Sequence, residues 1–153
     1  MTQLAITING KPCACAKGEF LLDVAAREGF PIPTLCSHAS LSEQGCCRVC
    51  LAEVVENGWS KVVVSCVYPL EKSCDIYTES DKIREQRAMV LMLLRLRAPD
   101  SPEIAALCAE YGAPEYERLQ PLIGEKCIMC GLCARACAAL GTGAISTVGR
   151  GTE

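Results

Sequence analysis

The sequence predicts an α+β protein: short strands around one helix, then further helices, then a cysteine-bearing tail. Three observations carry that prediction. Asn-Gly pairs at 9–10 and 57–58 each lie between alternating apolar and polar segments, the strongest short signal for a β-hairpin. A mostly apolar stripe at helical spacing (Ile83, Arg87, Val90, Leu91, Leu94, Ala98) is opened by Ser80 and closed by Pro99. Most of the 13 cysteines fall in loops or in one dense run near the end. Strands grouped before helices read as α+β.

Taken in order, residues 3 to 10 alternate and turn at Asn9-Gly10, and residues 11 to 18 return as the second strand. Cys13 and Cys15 are two apart and share one face of that strand; both read as small buried side chains rather than a metal pair. "GEFLLDVAAREGFPIP" predicts a helix of about three turns, with Leu21, Leu22, Val24, Ala25 and Ala26 as its stripe and Gly29 and Pro31 as its stop. Residues 36 to 50 form a cysteine-rich loop containing Gly45. The second hairpin pairs Leu51–Glu56 with Ser60–Cys66, and "CDIYTESD" supplies a last short strand. The helix over 81–98 follows, then a shorter one with Ser101 at its cap, Pro102 in its first turn and Gly112 at its exit. Residues 114 to 124 connect to the final cysteine run. The chain divides as 1–78, 79–120 and 121–153.

Composition removes several function classes. Net charge is −3, with no basic run and no aromatic-rich basic face, which disfavours nucleic acid. The longest apolar runs, "VVVSCVYPL" and "MVLMLL", fall far short of a membrane span. "MTQLAITINGKP" has no charged-then-apolar leader. A cytoplasmic setting is therefore expected, where clustered thiols bind metal or do redox chemistry more often than they form disulfides. There is no Gly-rich dinucleotide fingerprint, no P-loop and no Ser/His/Asp arrangement, and His38 is the sole histidine. An electron carrier without a substrate site of its own is the expectation.

Cys36, Cys47, Cys50 and Cys66 are separated by gaps of ten, two and fifteen residues. A 2Fe–2S rhomb needs four thiolates, two for each iron, and plant-type ferredoxins supply them as C-x4-C-x2-C with a distant fourth. Here the first gap is longer and the rest follows the same logic. A Rieske site takes two histidines on one iron, so His38 alone excludes it; that residue reads as a neighbour of the cluster or a surface group.

"PTLCSHASLSEQGCCRVCLAEV" with "SCVYPL" resembles the 2Fe–2S domain of the large iron–sulfur subunit of respiratory complex I. It is similar also to the diaphorase iron–sulfur subunit of NAD-linked hydrogenases and to the N-terminal region of iron-only hydrogenases. The shared pattern is P-x-L-C, then G-x-C-R-x-C-x-V/A-E-V, then A/S-C-x-x-P. The resemblance implies a β-grasp ferredoxin domain over residues 1–78 that holds a 2Fe–2S cluster on Cys36, Cys47, Cys50 and Cys66. In that pattern the close pair flanks Arg-x, which selects Cys47 and Cys50 and leaves Cys46 a bystander. In complex I relatives a His-x3-Cys-x2-Cys-x5-Cys motif follows for another cluster. "LLRLRAPDSPEIAALCAEYG" offers only Cys108 there, so that cluster cannot be built; Cys108 and Cys74 read as core residues.

"CIMCGLCARAC" places Cys127, Cys130, Cys133 and Cys137 at gaps of two, two and three. Zinc sites also use C-x2-C, but as two separated pairs. This run, continued through "AALGTGAISTVGRG", is similar to the 4Fe–4S ferredoxin-like segment of the same relatives. The fourth cysteine stays open. In two-cluster ferredoxins it ligates the other cluster, and the relatives commonly continue to a second such run. Either Cys137 completes the same cube, or another thiol (Cys108 or a partner's) does, or the natural protein continues beyond "STVGRGTE". The resemblance implies one 2Fe–2S and one 4Fe–4S cluster, with a second 4Fe–4S only under that last option.

The implied function is an iron–sulfur electron-transfer subunit of a multi-subunit oxidoreductase complex. It would relay single electrons between a flavin-containing NAD(P)H-oxidising subunit and a hydrogenase, formate dehydrogenase or other redox subunit. The alternatives are a fragment or accessory domain of an iron-only hydrogenase, whose catalytic-cluster motifs are absent here, and a stand-alone redox sensor or cluster carrier.

Overall fold

The computed structural model describes residues 3–115, 117–121 and 125–148. Its first hairpin joins β1 (Gln3–Ile8) to β2 (Lys11–Ala16), antiparallel with Ile6 opposite Cys13. Asn9 and Gly10 both take left-handed φ, +49° and +82°. That is the pair of conformations a two-residue turn needs to match the strand twist. The second hairpin, β3 (Leu51–Glu56) and β4 (Trp59–Val64), repeats the device at Asn57 and Gly58. A short strand, β5 (Asp75–Tyr77), lies between the hairpins, parallel to β1 and antiparallel to β3. The resulting five-stranded mixed sheet has the order β2-β1-β5-β3-β4.

Helix α1 (Leu21–Arg27) puts Leu21, Leu22, Val24 and Ala25 into one core with Ile6, Ile8, Val54 and Ile76 of the sheet. It is shorter than the expected three turns. Phe20 is held in a β-bridge to Pro69, so the helix starts after it, and Gly29 (φ +84°) ends it. Cys13, Cys15 and Cys74 are buried in this core, as expected of small apolar side chains. Burial pushes the Cys74 thiol up to about 11.

Strand β4 also ends earlier than the sequence suggests. Residues Ser65–Val67 form a single 3-10 turn, and the Ser65 N–H bonds the Cys50 carbonyl at 2.9 Å. Cys66 is therefore carried on a turn, not on a strand.

Helix α2 (Asp81–Arg97) is capped by the Ser80 hydroxyl, which accepts the Ile83 N–H at 3.4 Å. Ser101 caps α3 (Pro102–Tyr111) on the Ile104 N–H in the same way. The two helices pack together and close a second apolar cluster in which Leu91 meets Cys36, Cys47 and Val49 of the cysteine loop. The polar member of the α2 stripe, Arg87, is fully buried. It donates to the carbonyls of Val49 (3.0 Å), Leu51 (2.8 Å) and Thr78 (3.1 Å), pairs with Glu79 at 2.6 Å and stacks on Tyr111. Helix α4 (Leu132–Ala139) starts within the last cysteine run and ends just past it, where the sequence signalled a helical tail without bounds. Among the described residues no helix is long and apolar enough to cross a membrane.

Candidate metal centre

The loop over residues 36–50 owes its path to backbone conformations that few residues accept. Gly45 has φ +62° and Arg48 φ +60°. A Cβ on Gly45 would sit 3.0 Å from Val67 Cγ2, so this position needs glycine for both conformation and space. A Gly45→Ala variant is expected to lose about 1–2 kcal/mol, read from the urea midpoint. An unchanged midpoint would mean that the loop is not held here.

The four thiols of the first set converge from three places: the loop start (Cys36), the loop end (Cys47, Cys50) and the 3-10 turn (Cys66). All four are buried. They meet as two pairs. The Cys47 N–H points at Cys36 Sγ at 3.5 Å, and the Cys66 and Cys50 thiols are within hydrogen-bonding reach of each other. Burial alone would raise the Cys36 thiol, but hydrogen bonds from Cys47, its backbone N–H foremost, and from Cys46 outweigh it and the net shift is downward. Burial pushes Cys47 up to about 12 and raises Cys66 as well, the latter reinforced by Cys50.

No three His, Cys, Asp or Glu side chains among the described residues form a single-ion site. Two pairs of soft thiols are instead the donor set that a two-iron rhomb takes, two thiolates to each iron. A further sign of fit is Ser65, beside Cys66. It is fully buried, and its hydroxyl has no hydrogen-bond partner among the described residues. Such an orphan donor is what sulfide-rich neighbours satisfy. His38 is exposed, and its Nδ1 accepts the Ser40 N–H at 3.2 Å, a local turn contact.

In the second set Cys127 and Cys133 are exposed and Cys130 and Cys137 half-buried. Met129 and Gly131 take left-handed φ and coil the chain ahead of α4. Cys133 and Cys137 are four apart on that helix and so share a face. The Cys137 sulfur lies 3.1 Å from the Thr142 hydroxyl and receives the Ala144 N–H at 3.2 Å. The hydroxyl and the following backbone N–H groups hold this thiol below the ordinary thiol range. In iron-free chain, Cys137 is expected to alkylate at lower pH than a free cysteine, by peptide mass spectrometry; an ordinary thiol profile would contradict the nest. Cys108 is half-buried on α3, with its sulfur 3.5 Å from the Leu91 carbonyl of α2.

The two sets touch. Arg135 of α4 donates to the carbonyls of Cys36 and Ser42. The Cys46 thiol donates to the Cys130 carbonyl at 3.0 Å, and the Gly131 backbone lies against Gln44. Cys130 packs with the apolar cluster around Cys36 and Cys47. Sequence reasoning missed Arg135 and treated Cys46 as a bystander and Arg87 as one position of a stripe. A lone arginine between cysteines and a tolerated arginine in an apolar stripe were the only signals.

A fold with one α-helix against a mixed sheet, and four buried cysteines on a loop and a turn beside it, defines an iron–sulfur protein class. Residues 1–81 match the family described as 2Fe-2S iron-sulfur cluster binding domain, and the chain belongs to that family. It is 31% identical to the NADPH-Fe(3+) oxidoreductase subunit alpha of Geobacter sulfurreducens over 97% of its own length and 20% of that protein. The NADH-ubiquinone oxidoreductase 75 kDa subunit of Reclinomonas americana is 31% identical over 97% of this chain and 25% of that one. The NADP-reducing hydrogenase subunit HndD of Solidesulfovibrio fructosivorans is 30% identical over 99% of this chain and 30% of that one. The chain thus spans 20% to 30% of the length of these curated relatives. Among solved structures, a chain of the NAD+-reducing [NiFe]-hydrogenase in the H2-reduced state superposes with a TM-score of 0.80 at 25% identity, covering 97% of this chain and 71% of that one. The resemblance to complex I and NAD-linked hydrogenase subunits is thereby established.

Proposed function

We propose that this chain is an electron-transfer subunit that relays single electrons through two adjacent iron–sulfur clusters. Residues 1–78 act as a β-grasp ferredoxin domain, a reading supported by the β2-β1-β5-β3-β4 order with α1 on the sheet. Cys36 with Cys47, and Cys50 with Cys66, hold a 2Fe–2S group. Cys127, Cys130 and Cys133, with Cys137, hold a 4Fe–4S group in the segment 121–153, which the helices of 79–120 brace. When bound, such groups accept and release one electron at a time.

The observation that carries the proposal is the contact between the sets: Arg135 and Cys46 fasten the second cysteine run onto the loop of the first. A wire needs its carriers side by side, and a sensor or cluster carrier has no such need. The chain's own residues exclude water from the first set by burial, supply the Cys47 N–H to Cys36, and fix the spacing between sets. Its donor is a flavin-containing NAD(P)H-oxidising subunit, and its acceptor is a hydrogenase, formate dehydrogenase or other redox subunit, in the cytoplasm. The likeness to NADPH- and NADH-linked relatives supports this assignment.

The test is a reductive titration of the anaerobic chain with a catalytic amount of a flavoprotein NAD(P)H dehydrogenase. Both cluster signals are expected to be reduced within the flavoprotein's turnover, with iron retained. Iron released during turnover would favour a cluster carrier instead.

A further inference from the structure

We infer that Cys46 is the link through which the two cysteine sets exchange electrons, acting as a positioning residue beside the ligands and not as a ligand. This rests on the proposed reading of both sets as cluster-binding. Cys46 is joined directly to the first set. It is peptide-bonded to Cys47, whose N–H points at Cys36 Sγ at 3.5 Å. Its side chain reaches the second set, where the thiol gives its one hydrogen to the Cys130 carbonyl at 3.0 Å, within the range for a sulfur donor. From Cys47 to Cys130 the route is therefore covalent except for a single hydrogen bond. Electrons cross bonded and hydrogen-bonded atoms more readily than a van der Waals gap of equal length, so this route is favoured over any that jumps between the loops, and it crosses fewer bonds than the route from the Cys36 carbonyl along the whole Arg135 side chain to Cys133.

Two features make the assignment specific to Cys46. The joint lies in the half-buried apolar cluster with Leu35, Val49 and Leu91, which keeps water from competing for the Cys130 carbonyl. Arg135 clamps the same two segments independently, through the carbonyls of Cys36 and Ser42. Loss of the Cys46 thiol therefore removes the link and leaves the docking in place. Serine at this position keeps a hydrogen-bond donor.

The test uses the full chain, loaded anaerobically, as wild type, Cys46→Ala and Cys46→Ser. A photoreduced deazaflavin injects one electron per molecule, and equilibration between the two cluster signals is timed. A several-fold slower equilibration in Cys46→Ala, restored by Cys46→Ser, with iron per chain equal in all three, is the expected result. A wild-type rate in Cys46→Ala overturns the link, and so does a loss of iron in that variant, which would make Cys46 a ligand. Wild-type protein that carries only the iron of one rhomb refutes the two-cluster reading itself, so the iron count separates the two failures.

Discussion

Replacing Arg87 by alanine is expected to remove about 3–5 kcal/mol of stability and to lower occupancy of the first cluster. The side chain is fully buried and its guanidinium serves three backbone carbonyls, those of Val49, Leu51 and Thr78. Val49 and Leu51 flank Cys50, so one side chain on α2 holds both neighbours of a predicted ligand. The Val49 carbonyl keeps the Leu51 N–H as a donor at 2.8 Å, whereas a carbonyl left buried without a donor costs about 1–3 kcal/mol. The ion pair with Glu79 adds less, because that carboxylate is 38% exposed and screened by water. Since a domain of this size is stable by only about 5–15 kcal/mol, the loss is a large share of the whole. Arg87→Lys should recover only part of it, because an ammonium is a point charge without the planar fork that reaches three acceptors. Urea unfolding with an iron assay checks the pair. An Arg87→Ala midpoint shift worth less than about 0.5 kcal/mol, the size of an ordinary surface change, would contradict this role.

Cys66→Ser is the second large effect. The residue arrives on the 3-10 turn after β4 and faces Cys50, completing one of the two thiol pairs. Serine keeps the size but not the soft thiolate that iron–sulfur groups require. Iron is expected to fall by about two per chain, with sulfide falling in step, while the signal of the second set remains. The melting temperature should fall as well, because metal binding is coupled to folding. The same assay decides between neighbours in "GCCRVC": Cys47→Ser should lose the rhomb and Cys46→Ser should keep it. Retention of full iron in Cys66→Ser would remove that residue from the ligand set.

Much of the architecture is written locally in the sequence. Each Asn-Gly pair dictates a turn that only left-handed residues make, and both hairpins appear where those pairs stand. Ser80 with Ile83, and Ser101 with Ile104, set the starts of α2 and α3 through caps three residues long. The cysteine spacing drew attention to Cys36, Cys47, Cys50 and Cys66, each of which is buried. What escaped local reading is set by distant contacts. At Ser65–Val67 the strand-like run "KVVVSC" gives way to a turn after which the Tyr68 carbonyl accepts the Leu21 N–H at 3.0 Å and Pro69 bridges Phe20, contacts far away in the sequence. The burial of Arg87 depends on carbonyls 36 and 38 positions away. The joint between the cysteine sets spans 84 positions at Cys46–Cys130 and 99 at Cys36–Arg135, distances over which periodicity and spacing carry no information.

The central claim is that one chain holds two different iron–sulfur groups side by side. Iron and acid-labile sulfide per chain, measured on anaerobically purified protein, test it most directly. About six of each is the predicted result, two from the rhomb and four from the cube. About two of each would leave Cys127, Cys130, Cys133 and Cys137 without a cluster and would contradict the account.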